Sequence, residues 1–487
     1  MQIGKHISAS AVAILGLAGF FILIGCGSSS SGTGISPLST ATAPMVVTAS
    51  DAPLSNILSA AVTISSASVT AGSTSAPVIS APVTVELSSL GATQEPINLT
   101  NVAYGSYNSV TLTVSSAVVS YVNSGGQVVT TTATLTQPTI TVALTPPLVV
   151  AATGEVQLQL AFNLAQSFNI TGTTVTFGPA INTVGNLVSA ENSGDRQVEI
   201  AGQAISVSAS GITIQAGDSG KQFAFTINSS TQFPAGVTTS TIQTGAIVQV
   251  QGQTQTDGSL LATMITQESS GSVAGQQDGG AKGIVTSVTS NAGTLTGFTM
   301  VPRTNYGSAS SSAASLNVTV SSSTTYTVPE DAQQAGVGAS AFASAEVFPG
   351  QSVVVAGTAG TSGVMAATQV TLAAESLAGT LAVAPQGTSP SFTFALTLPT
   401  TSLLTTYDQL TTLNVSTNAT TEFGGSLDAT SFATLAAGAS VEIHGYMVKD
   451  SGGNFLLYTA GISQVQPPET PEAPETPGIA SSNGSDN

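Results

Sequence analysis

The chain has little of what most metal and catalytic sites are built from. Its 487 residues include one cysteine, no tryptophan and two histidines. A single cysteine excludes any disulfide within the chain, and zinc needs three or four Cys, His or carboxylate ligands in recognisable spacings. Without tryptophan, the side chain best suited to stacking on sugar rings is missing. We therefore expect no metal, no cofactor and no catalytic site.

Charge is also scarce, and it is mostly of one sign. Only 6% of the residues are charged, and six Lys and Arg face 24 Asp and Glu, which gives a net charge of -18. Nucleic-acid binding and a polybasic contact with anionic lipid both require clustered cations. Neither is expected here. The 41% of apolar residues is still enough for buried sheets, unlike a chain kept disordered by its charge.

The first 25 residues form a predicted secretory signal. Lys5 precedes an apolar run from Ala11 to Ile24, and the small residue Gly25 follows. The run is shorter than the ~20 residues that a spanning helix needs, and Gly and Ser follow it at once. Leu23, Ile24, Gly25 and Cys26 together resemble the bacterial lipobox. The open alternative is an ordinary signal with an incidental cysteine.

The lipobox resemblance implies a membrane anchor. In that family the signal peptidase recognises the residues here numbered Leu23, Ile24 and Gly25, and the following cysteine carries diacylglycerol and an acyl chain such as palmitate. Two or three chains anchor stably, because each buried CH₂ contributes ~0.8 kcal/mol. Gly27 stands where an aspartate commonly signals inner-membrane retention. We expect a protein anchored through Cys26 outside the cytoplasm, in the outer membrane more than the inner, with residues 26–43 as a flexible tether.

Alternating apolar residues predict an all-β body. Val156, Leu158, Leu160 and Phe162 alternate with polar or small residues, which is typical of half-buried strands. Gly and Pro interrupt at short intervals, and no long helical period occurs beyond the leader. We predict a β-sandwich over residues 44–190 and an extended Pro/Glu-rich tail over 467–487.

The sandwich region resembles a family of unknown function, DUF4382. The resemblance over residues 45–188 rests on the opening Thr48–Pro53, the strand Ala61–Ser65, and Gly105–Tyr107 leading into Val110–Val114. Asp51 in the opening is interpreted as a turn residue that bonds its own backbone. A ligand-binding role stays open, in which Asp51, Tyr104 and Tyr107 would line one pocket.

From residue 196 to 465 the sequence repeats three times. Each unit has a Ser/Thr run ending in an aromatic residue, then an alternating apolar strand with glycine at both ends, then a last apolar strand. The glycine-flanked strands are Gly245–Gly252, Gly350–Gly357 and Gly438–Gly445, and the last strands lie near Ile265, Val370 and Ile462. Flanking glycines indicate tight turns or close backbone approach. The units resemble the family DUF5666, which implies small closed barrels in tandem, here 196–268, 281–375 and 376–466, each folding on its own.

Polar candidates elsewhere favour structural roles. Asp218 and Asp257 precede glycines at predicted hairpin tips, and a turn explains them better than calcium does. His444 follows the inward Ile443, so alternation directs it to solvent, and no nucleophile motif accompanies it. The preferred hypothesis is a non-enzymatic envelope protein, a structural, scaffold or adhesion module whose partners are the membrane, through the anchor, and an envelope protein or glycan, through the surfaces of the β-domains. The alternative is a lipoprotein that binds a glycan or peptide, and an enzyme ranks third.

Overall fold

The chain is described here by a computed structural model. The structure describes residues 41–52, 56–90, 94–151, 156–187, 197–217, 219–234, 236–255, 257–267, 278–307, 314–360, 363–400, 402–424, 427–450 and 452–464. The predicted leader with Leu23, Ile24, Gly25 and Cys26, most of the tether, and the tail all lie outside these residues.

The first region is a β-sandwich. Its strands are β1 (Thr42–Ala52), β2 (Ile57–Ala71), β3 (Thr74–Ile79), β4 (Val83–Glu86), β5 (Glu95–Ala103), β6 (Gly105–Val122), β7 (Val128–Thr132), β8 (Thr134–Leu135), β9 (Thr139–Val150), β10 (Val156–Asn163), β11 (Phe168–Thr171), β12 (Thr174–Phe177) and β13 (Ile181–Leu187). One sheet has the order β13-β10-β1-β5. The other has β3-β2-β6-β7, with β4 on β2 and β9 on β6, and a small sheet has β11-β12-β8.

Alternation along these strands builds the sandwich core. Val156, Leu158, Leu160 and Phe162 of β10 are all buried, as the sequence predicts. However, Gln157 on the opposite face of β10 is also buried, at 4% exposed, and it bonds to the side chains of Thr48 and Gln94. The sheet that contains β1 and β10 is therefore covered on both faces, which a half-buried strand pattern does not anticipate.

The second region is a closed five-stranded barrel. Its strands are β14 (Gln197–Ser208), β15 (Gly211–Ala216), β16 (Gln222–Thr226), β17 (Ile247–Thr254) and β18 (Leu260–Gln267). They close in the order β14-β15-β16-β18-β17. Every pair of neighbouring strands is antiparallel except β16 and β18, which are parallel and are the third and fifth strands of the barrel in chain order. This is the arrangement of a five-stranded Greek-key barrel of the OB type.

Two further barrels follow with the same ring of strands. The second contains β19 (Asp278–Asn291), β20 (Thr294–Gly307), β21 (Leu316–Thr319), β22 (Thr325–Thr327), β23 (Ser352–Ala359) and β24 (Val364–Leu372). The third contains β25 (Glu375–Leu381), β26 (Gln386–Thr388), β27 (Ser391–Thr397), β28 (Thr412–Ser416), β29 (Glu422–Gly424), β30 (Ser440–Lys449) and β31 (Phe455–Gln464). The parallel pairs β21–β24 and β28–β31 close these rings. The fold is therefore all-β, a sandwich followed by three barrels.

Among the residues that the structure describes, α-helices are few and short. They are α1 (Leu164–Ser167), α2 (Glu330–Gln334), α3 (Leu403–Asp408) and α4 (Ala429–Ala433). In the part of the chain that the structure describes, no helix has the length and apolar character needed to cross a membrane.

The glycines that flank each repeated strand have the roles that the sequence predicts. The opening glycines Gly245, Gly350 and Gly438 have φ of 93°, 94° and 87°, which strains any residue with a Cβ. The closing glycines Gly252, Gly357 and Gly445 each follow a β-bulge against the last strand. A Cβ there would collide with a carbonyl oxygen of that strand.

A buried threonine gives each repeat its second signature. Thr231, Thr324 and Thr421 donate their hydroxyls to backbone carbonyls of the last strand at 2.7, 2.8 and 2.8 Å. Each hydroxyl also accepts a hydrogen bond from the backbone N–H three residues earlier. The Ser/Thr run in the sequence repeat therefore marks one hydrogen-bonded corner that occurs in all three barrels.

The barrels are not separate from one another. Tyr446 and Val448 on the outer face of β30 belong to the apolar cluster that forms the core of the second barrel. A smaller apolar cluster joins Leu58 of the sandwich, Ile284 of the second barrel and Leu403 of the third. The sequence predicts barrels that fold independently, whereas the structure packs them together through residues on their outer faces.

Candidate functional site

The most unusual chemistry of the molecule lies where the sandwich and the three barrels meet. We call this region the junction and define it by Glu86, Glu199, Lys282, Arg303, Asp331, Glu375 and His444. Glu86 belongs to the sandwich and Glu199 to the first barrel. Lys282, Arg303 and Asp331 belong to the second barrel, and Glu375 and His444 belong to the third. A protein with so few charged residues thus concentrates several of them in its interior.

An ion pair between Arg303 and Glu375 forms the first half of the junction. The Nη1 and Nη2 atoms of Arg303 donate to the two carboxylate oxygens of Glu375, both at 3.1 Å. The Nε atom donates to the carbonyl oxygen of Leu58 at 2.6 Å. The two side chains are only 3% and 7% exposed. Burial raises the pKa of Glu375, and the adjacent guanidinium opposes that rise. One arginine thereby joins β20 of the second barrel, β25 of the third and β2 of the sandwich.

Glu86 of the sandwich is a second buried carboxylate near Arg303. It accepts hydrogen bonds from the backbone N–H of Ala60 at 2.7 Å, from the Ser59 hydroxyl at 2.7 Å and from the Ser88 hydroxyl at 2.6 Å. Burial raises its pKa, while these bonds and the charge of Arg303 oppose the rise. Glu86 therefore fixes the end of β4 against β2.

A small recess lies over the ion pair. Its walls are mainly apolar, from Leu58, Ile284, Leu403 and Leu404, with Arg303 and Glu375 at the polar side. The cavity volume of about 40 Å³ accommodates a few water molecules. It is far below the ~300 Å³ of typical small-molecule pockets.

Glu199, Lys282 and Asp331 form the second half of the junction. Glu199 accepts a hydrogen bond from Gln249 at 2.6 Å, and Asp331 accepts one from the Tyr446 hydroxyl. Lys282, Gln249 and Tyr446 line the same small cavity. Burial raises the pKa of Glu199 to about 7, with Lys282 opposing the rise and Asp331 adding to it. Burial raises the pKa of Asp331 as well. Two carboxyls from different barrels therefore share one nearby lysine.

The structure corrects the prediction for His444. It is only partly exposed, and Tyr446 and Val448, further along the same face of β30, pack into the core of the second barrel. Its Nδ1 atom is 3.0 Å from the hydroxyl oxygen of Ser376, the residue directly opposite it on β25. Burial lowers the pKa of the imidazole to about 4, and the charge of Lys282 adds to that effect. His444 is therefore a neutral cross-strand partner of Ser376.

Glu442 is another buried carboxylate on β30. It is 7% exposed, and its Oε1 atom has no hydrogen-bond partner among the described residues. Burial raises its pKa to about 8. The strand β30 thus carries ionisable side chains on a face that packs against protein instead of water.

The residues predicted to line one pocket are not brought together. Asp51 lies in β1 opposite Phe162, inside a strand and not in the predicted turn. Tyr104 lies beside the other end of β1, since its N–H bonds to the carbonyl of Ala41. The ~3.3 Å rise per strand residue places Asp51 and Tyr104 about 30 Å apart along β1. Tyr107 is fully buried, and its hydroxyl donates to the carbonyl of Ala103 at 2.8 Å.

The acidic loop tip at Asp257 forms a turn. Its Oδ1 atom accepts hydrogen bonds from the N–H and the hydroxyl of Ser259 at 3.0 and 2.6 Å, and Gly258 has a φ of 87°. Asp218 lies outside the described residues. Over the described ranges, no group of three or more His, Cys, Asp or Glu side chains is placed to hold a metal ion.

Two regions of the chain match different family models. Residues 42–177 match the domain of unknown function DUF4382. The DUF4382 region corresponds to the sandwich. Residues 187–266 and 405–455 match the domain of unknown function DUF5666, and these two DUF5666 segments correspond to the first and third barrels. The second barrel has the same strand ring and the same threonine and glycine contacts. No curated protein matches the chain.

Some solved structures show a low similarity to part of the chain. A deletion mutant of the single-stranded DNA binding protein from Thermus aquaticus is 14% identical and covers 40% of this chain and 97% of its own, with a TM-score of 0.17. The wild-type protein from the same organism is 12% identical and covers 39% of this chain and 90% of its own, with a TM-score of 0.15. The Drosophila Unr CSD456 is 12% identical and covers 55% of this chain and 98% of its own, with a TM-score of 0.13. Such scores carry no functional argument.

Sequence reasoning missed the junction. One feature of the sequence points to it: Lys282, Arg303 and Glu375 are charged residues that lie inside or beside apolar strands, in a chain of which only 6% is charged. A charged residue in such a place is rarely buried unless it is paired. The sequence could therefore have nominated each residue, but not its partner.

Proposed function

We propose that the chain is a lipid-anchored protein of the cell envelope that acts without catalysis, as a structural or interaction module displayed by its β-domains. The observation that carries this proposal is the use of Arg303. Its Nε, Nη1 and Nη2 atoms each donate one hydrogen bond, to the carbonyl of Leu58 and to the two carboxylate oxygens of Glu375, so this cation holds the sandwich, the second barrel and the third barrel together. A rigid scaffold made of tandem domains needs such internal contacts, because the domains otherwise move relative to one another.

Composition supports the same proposal. The net charge of -18 with six basic residues does not suit nucleic acid, and the recess at the junction is small for a substrate. The leader and the lipobox-like Leu23–Cys26 support attachment to a membrane outside the cytoplasm, with the outer membrane favoured by Gly27. The body would then present its uncharged, hydroxyl-rich strands to envelope partners.

The anchor is tested by Cys26→Ser in a bacterial host. The wild-type chain is expected to incorporate labelled palmitate and to sediment with membranes, whereas Cys26→Ser does neither. Ser29→Ala, a matched change in the same segment, should behave as the wild type. Membrane association and equal labelling of Cys26→Ser would contradict the anchor.

The interaction role is tested separately, by crosslinking the lipidated protein in its native envelope. Recovery of a protein partner whose yield falls when the sandwich is disrupted would support a module that acts through its surfaces. Recovery of a glycan or a peptide would favour the ligand-binding alternative instead. Turnover of an ester or polysaccharide that is lost on changing Ser376 or His444 would contradict the non-catalytic proposal.

A further inference from the structure

The contact between the first barrel and the other two is only partly apolar. Its buried apolar cluster contains four residues, Ile247 of the first barrel with Tyr306, Val354 and Ala373 of the second barrel and its exit. Beside this cluster lie Glu199, Lys282 and Asp331. Because the apolar cluster is small, the ionisation state of these side chains bears on how the first barrel docks on the second. The first barrel is held to the sandwich separately, by Lys221 Nζ donating to Asn98 Oδ1 at 2.7 Å and by the Glu199 N–H donating to the Gln94 carbonyl at 3.0 Å.

Glu199 belongs to the outer face of its barrel. Its neighbours Val198 and Ile200 point into the core of the first barrel, so alternation along β14 directs Glu199 and Ala201 outward. Ala201 packs against the apolar cluster between the barrels. The surroundings of Glu199 are therefore supplied from outside its own barrel, by the second and third barrels and by the sandwich, whose Gln94 carbonyl accepts the Glu199 backbone N–H at 3.0 Å.

The charges that face Glu199 do not balance when it is ionised. The second barrel contributes Lys282 from β19 and Asp331 from α2, and the third contributes Glu422 from β29. Gln249, on β17 of the first barrel, adds a neutral hydrogen bond. Lys282 also interacts with Glu375 and His444, of which Glu375 is already paired with Arg303. Glu199 and Asp331 thus share one lysine, while the exposed Glu422 adds a further negative charge, and a carboxylate that is taken out of water without a paired cation is costly.

We infer that the junction is a proton-dependent latch, in which a proton held between Glu199 and Asp331 keeps the first barrel docked on the second and third, and loss of that proton as the pH rises loosens the docking. Each protonated carboxyl removes one negative charge from the cluster and leaves Lys282 to neutralise the other. When both ionise, their repulsion and the burial of the extra charge oppose the contact. The latch acts by acid–base equilibrium alone, so no bond is made or broken.

The size of the effect follows from Glu199. Its ordinary pKa of 4.5 applies when the barrel is undocked, and about 7 applies when it is docked. Because the docked form binds the proton more tightly, docking weakens as the pH rises between these values. A difference of 2.5 units corresponds to a weakening of the docking equilibrium by about two and a half orders of magnitude in all, of which about one order falls between pH 6 and pH 9.

The test is a distance measurement between spin labels on the full chain. Cys26→Ser removes the natural cysteine, and Ser210→Cys and Ser340→Cys place one label on an exposed turn of the first barrel and one on an exposed turn of the second. A single narrow distance distribution is expected at pH 6, on the protonated side of the Glu199 pKa of about 7. At pH 9 a second, longer distribution should appear while the circular dichroism of the strands stays unchanged.

Two variants decide the outcome. Glu199→Gln cannot ionise and keeps the acceptor for Gln249, so its distances at pH 9 should stay those of pH 6. Asp331→Asn removes a repulsive neighbour, so it should shrink the change even if Glu199→Gln does not fold. Glu472→Gln, the same chemical change in the Pro/Glu tail, should respond as the parent chain. Unchanged distances in the parent chain between pH 6 and pH 9, or loosening of both junction variants equal to the parent, would overturn the latch.

Discussion

Arg303 of β20 and Glu375 of β25 form a bidentate ion pair whose two hydrogen bonds are both 3.1 Å long. The pair connects two barrels that the sequence repeat presents as equivalent and separate. Taking both charges out of water is expensive, and well-packed apolar residues in their place can be as stable. The pair therefore favours one arrangement of the barrels, because in any other arrangement one buried charge would lack its partner and would raise the free energy of the folded state.

Removing one partner of this pair should be more harmful than removing both. Arg303→Met leaves Glu375 buried without a cation, so we expect the free energy of unfolding to fall by about 3–5 kcal/mol. The double variant Arg303→Met/Glu375→Leu should recover most of that loss. Urea unfolding followed by circular dichroism measures both. Equal losses in the single and the double variant would show that the ion pair has a net stabilising value of its own.

The buried threonine of each repeat should be energetically distinct from exposed threonines. Thr324→Val removes a hydroxyl that donates to the carbonyl of Ala367 at 2.8 Å and accepts from the N–H of Ser321. Both backbone groups lose a partner, so we expect a loss of about 1–3 kcal/mol. Thr294→Val, at an exposed position of β20, serves as the control with almost no effect. Thermal unfolding distinguishes them, and equal melting temperatures would refute the assigned role.

The closing glycine of each repeat should reject any side chain. At Gly357 a Cβ would collide with the carbonyl oxygen of Ala366 on the neighbouring strand, so Gly357→Ala must distort the bulge between β23 and β24. We expect a loss above about 1 kcal/mol, as in other overpacked sites. Gly338→Ala is the control, because a Cβ there meets only the Ala341 Cβ at 3.8 Å. A stable Gly357→Ala variant would mean that the bulge is dispensable.

Glu442 should make the fold less stable as the pH rises. Its pKa is about 8 in the folded chain against an ordinary 4.5, so the folded state holds a proton that the unfolded state has released. Stability therefore falls between pH 4.5 and 8 and levels off above. Glu442→Gln should remove this slope and gain at most about 5 kcal/mol above pH 8. The urea midpoints of the variant and the wild type from pH 4 to 9 measure the difference in their stability. The same dependence of the midpoint on pH in both proteins would contradict the burial of this carboxyl.

His444 should act in the opposite direction. Its folded pKa is about 4 against an ordinary 6.5, so the unfolded chain binds a proton that the folded chain refuses. Stability should fall as the pH drops from 6.5 to 4, by at most about 3 kcal/mol because the ring keeps some exposed surface. In a chain that begins at Cys26, His444 is the only histidine. A single imidazole signal that titrates in NMR near pH 6.5 would place the ring in solvent after all.

The sequence predicted the local architecture well, because local architecture depends on short-range pattern. Alternation placed the buried face of β10, and positive φ at Gly245, Gly350 and Gly438 follows from glycine being the residue that tolerates it. The families DUF4382 and DUF5666 were identified from motifs of the same short range. The anchor at Cys26 stays a prediction, since it lies outside the described residues.

The sequence could not predict which outer faces are covered. His444 was expected in solvent because alternation distinguishes two faces of a strand, yet it does not say whether the second face meets water or another domain. The same limit hid Gln157, Glu442 and the junction. Each of these residues owes its burial to strands that lie far away along the chain.

By itself, the amino-acid sequence determined an all-β chain with a repeated corner of glycine and threonine, since those features depend on the preferences of single residues and their nearest neighbours. Only the tertiary structure decided that Arg303 meets Glu375 and that Glu199 and Asp331 share Lys282. Such pairings arise from how whole barrels pack. Packing of this kind is set by the summed shape and charge of surfaces, which no local pattern contains.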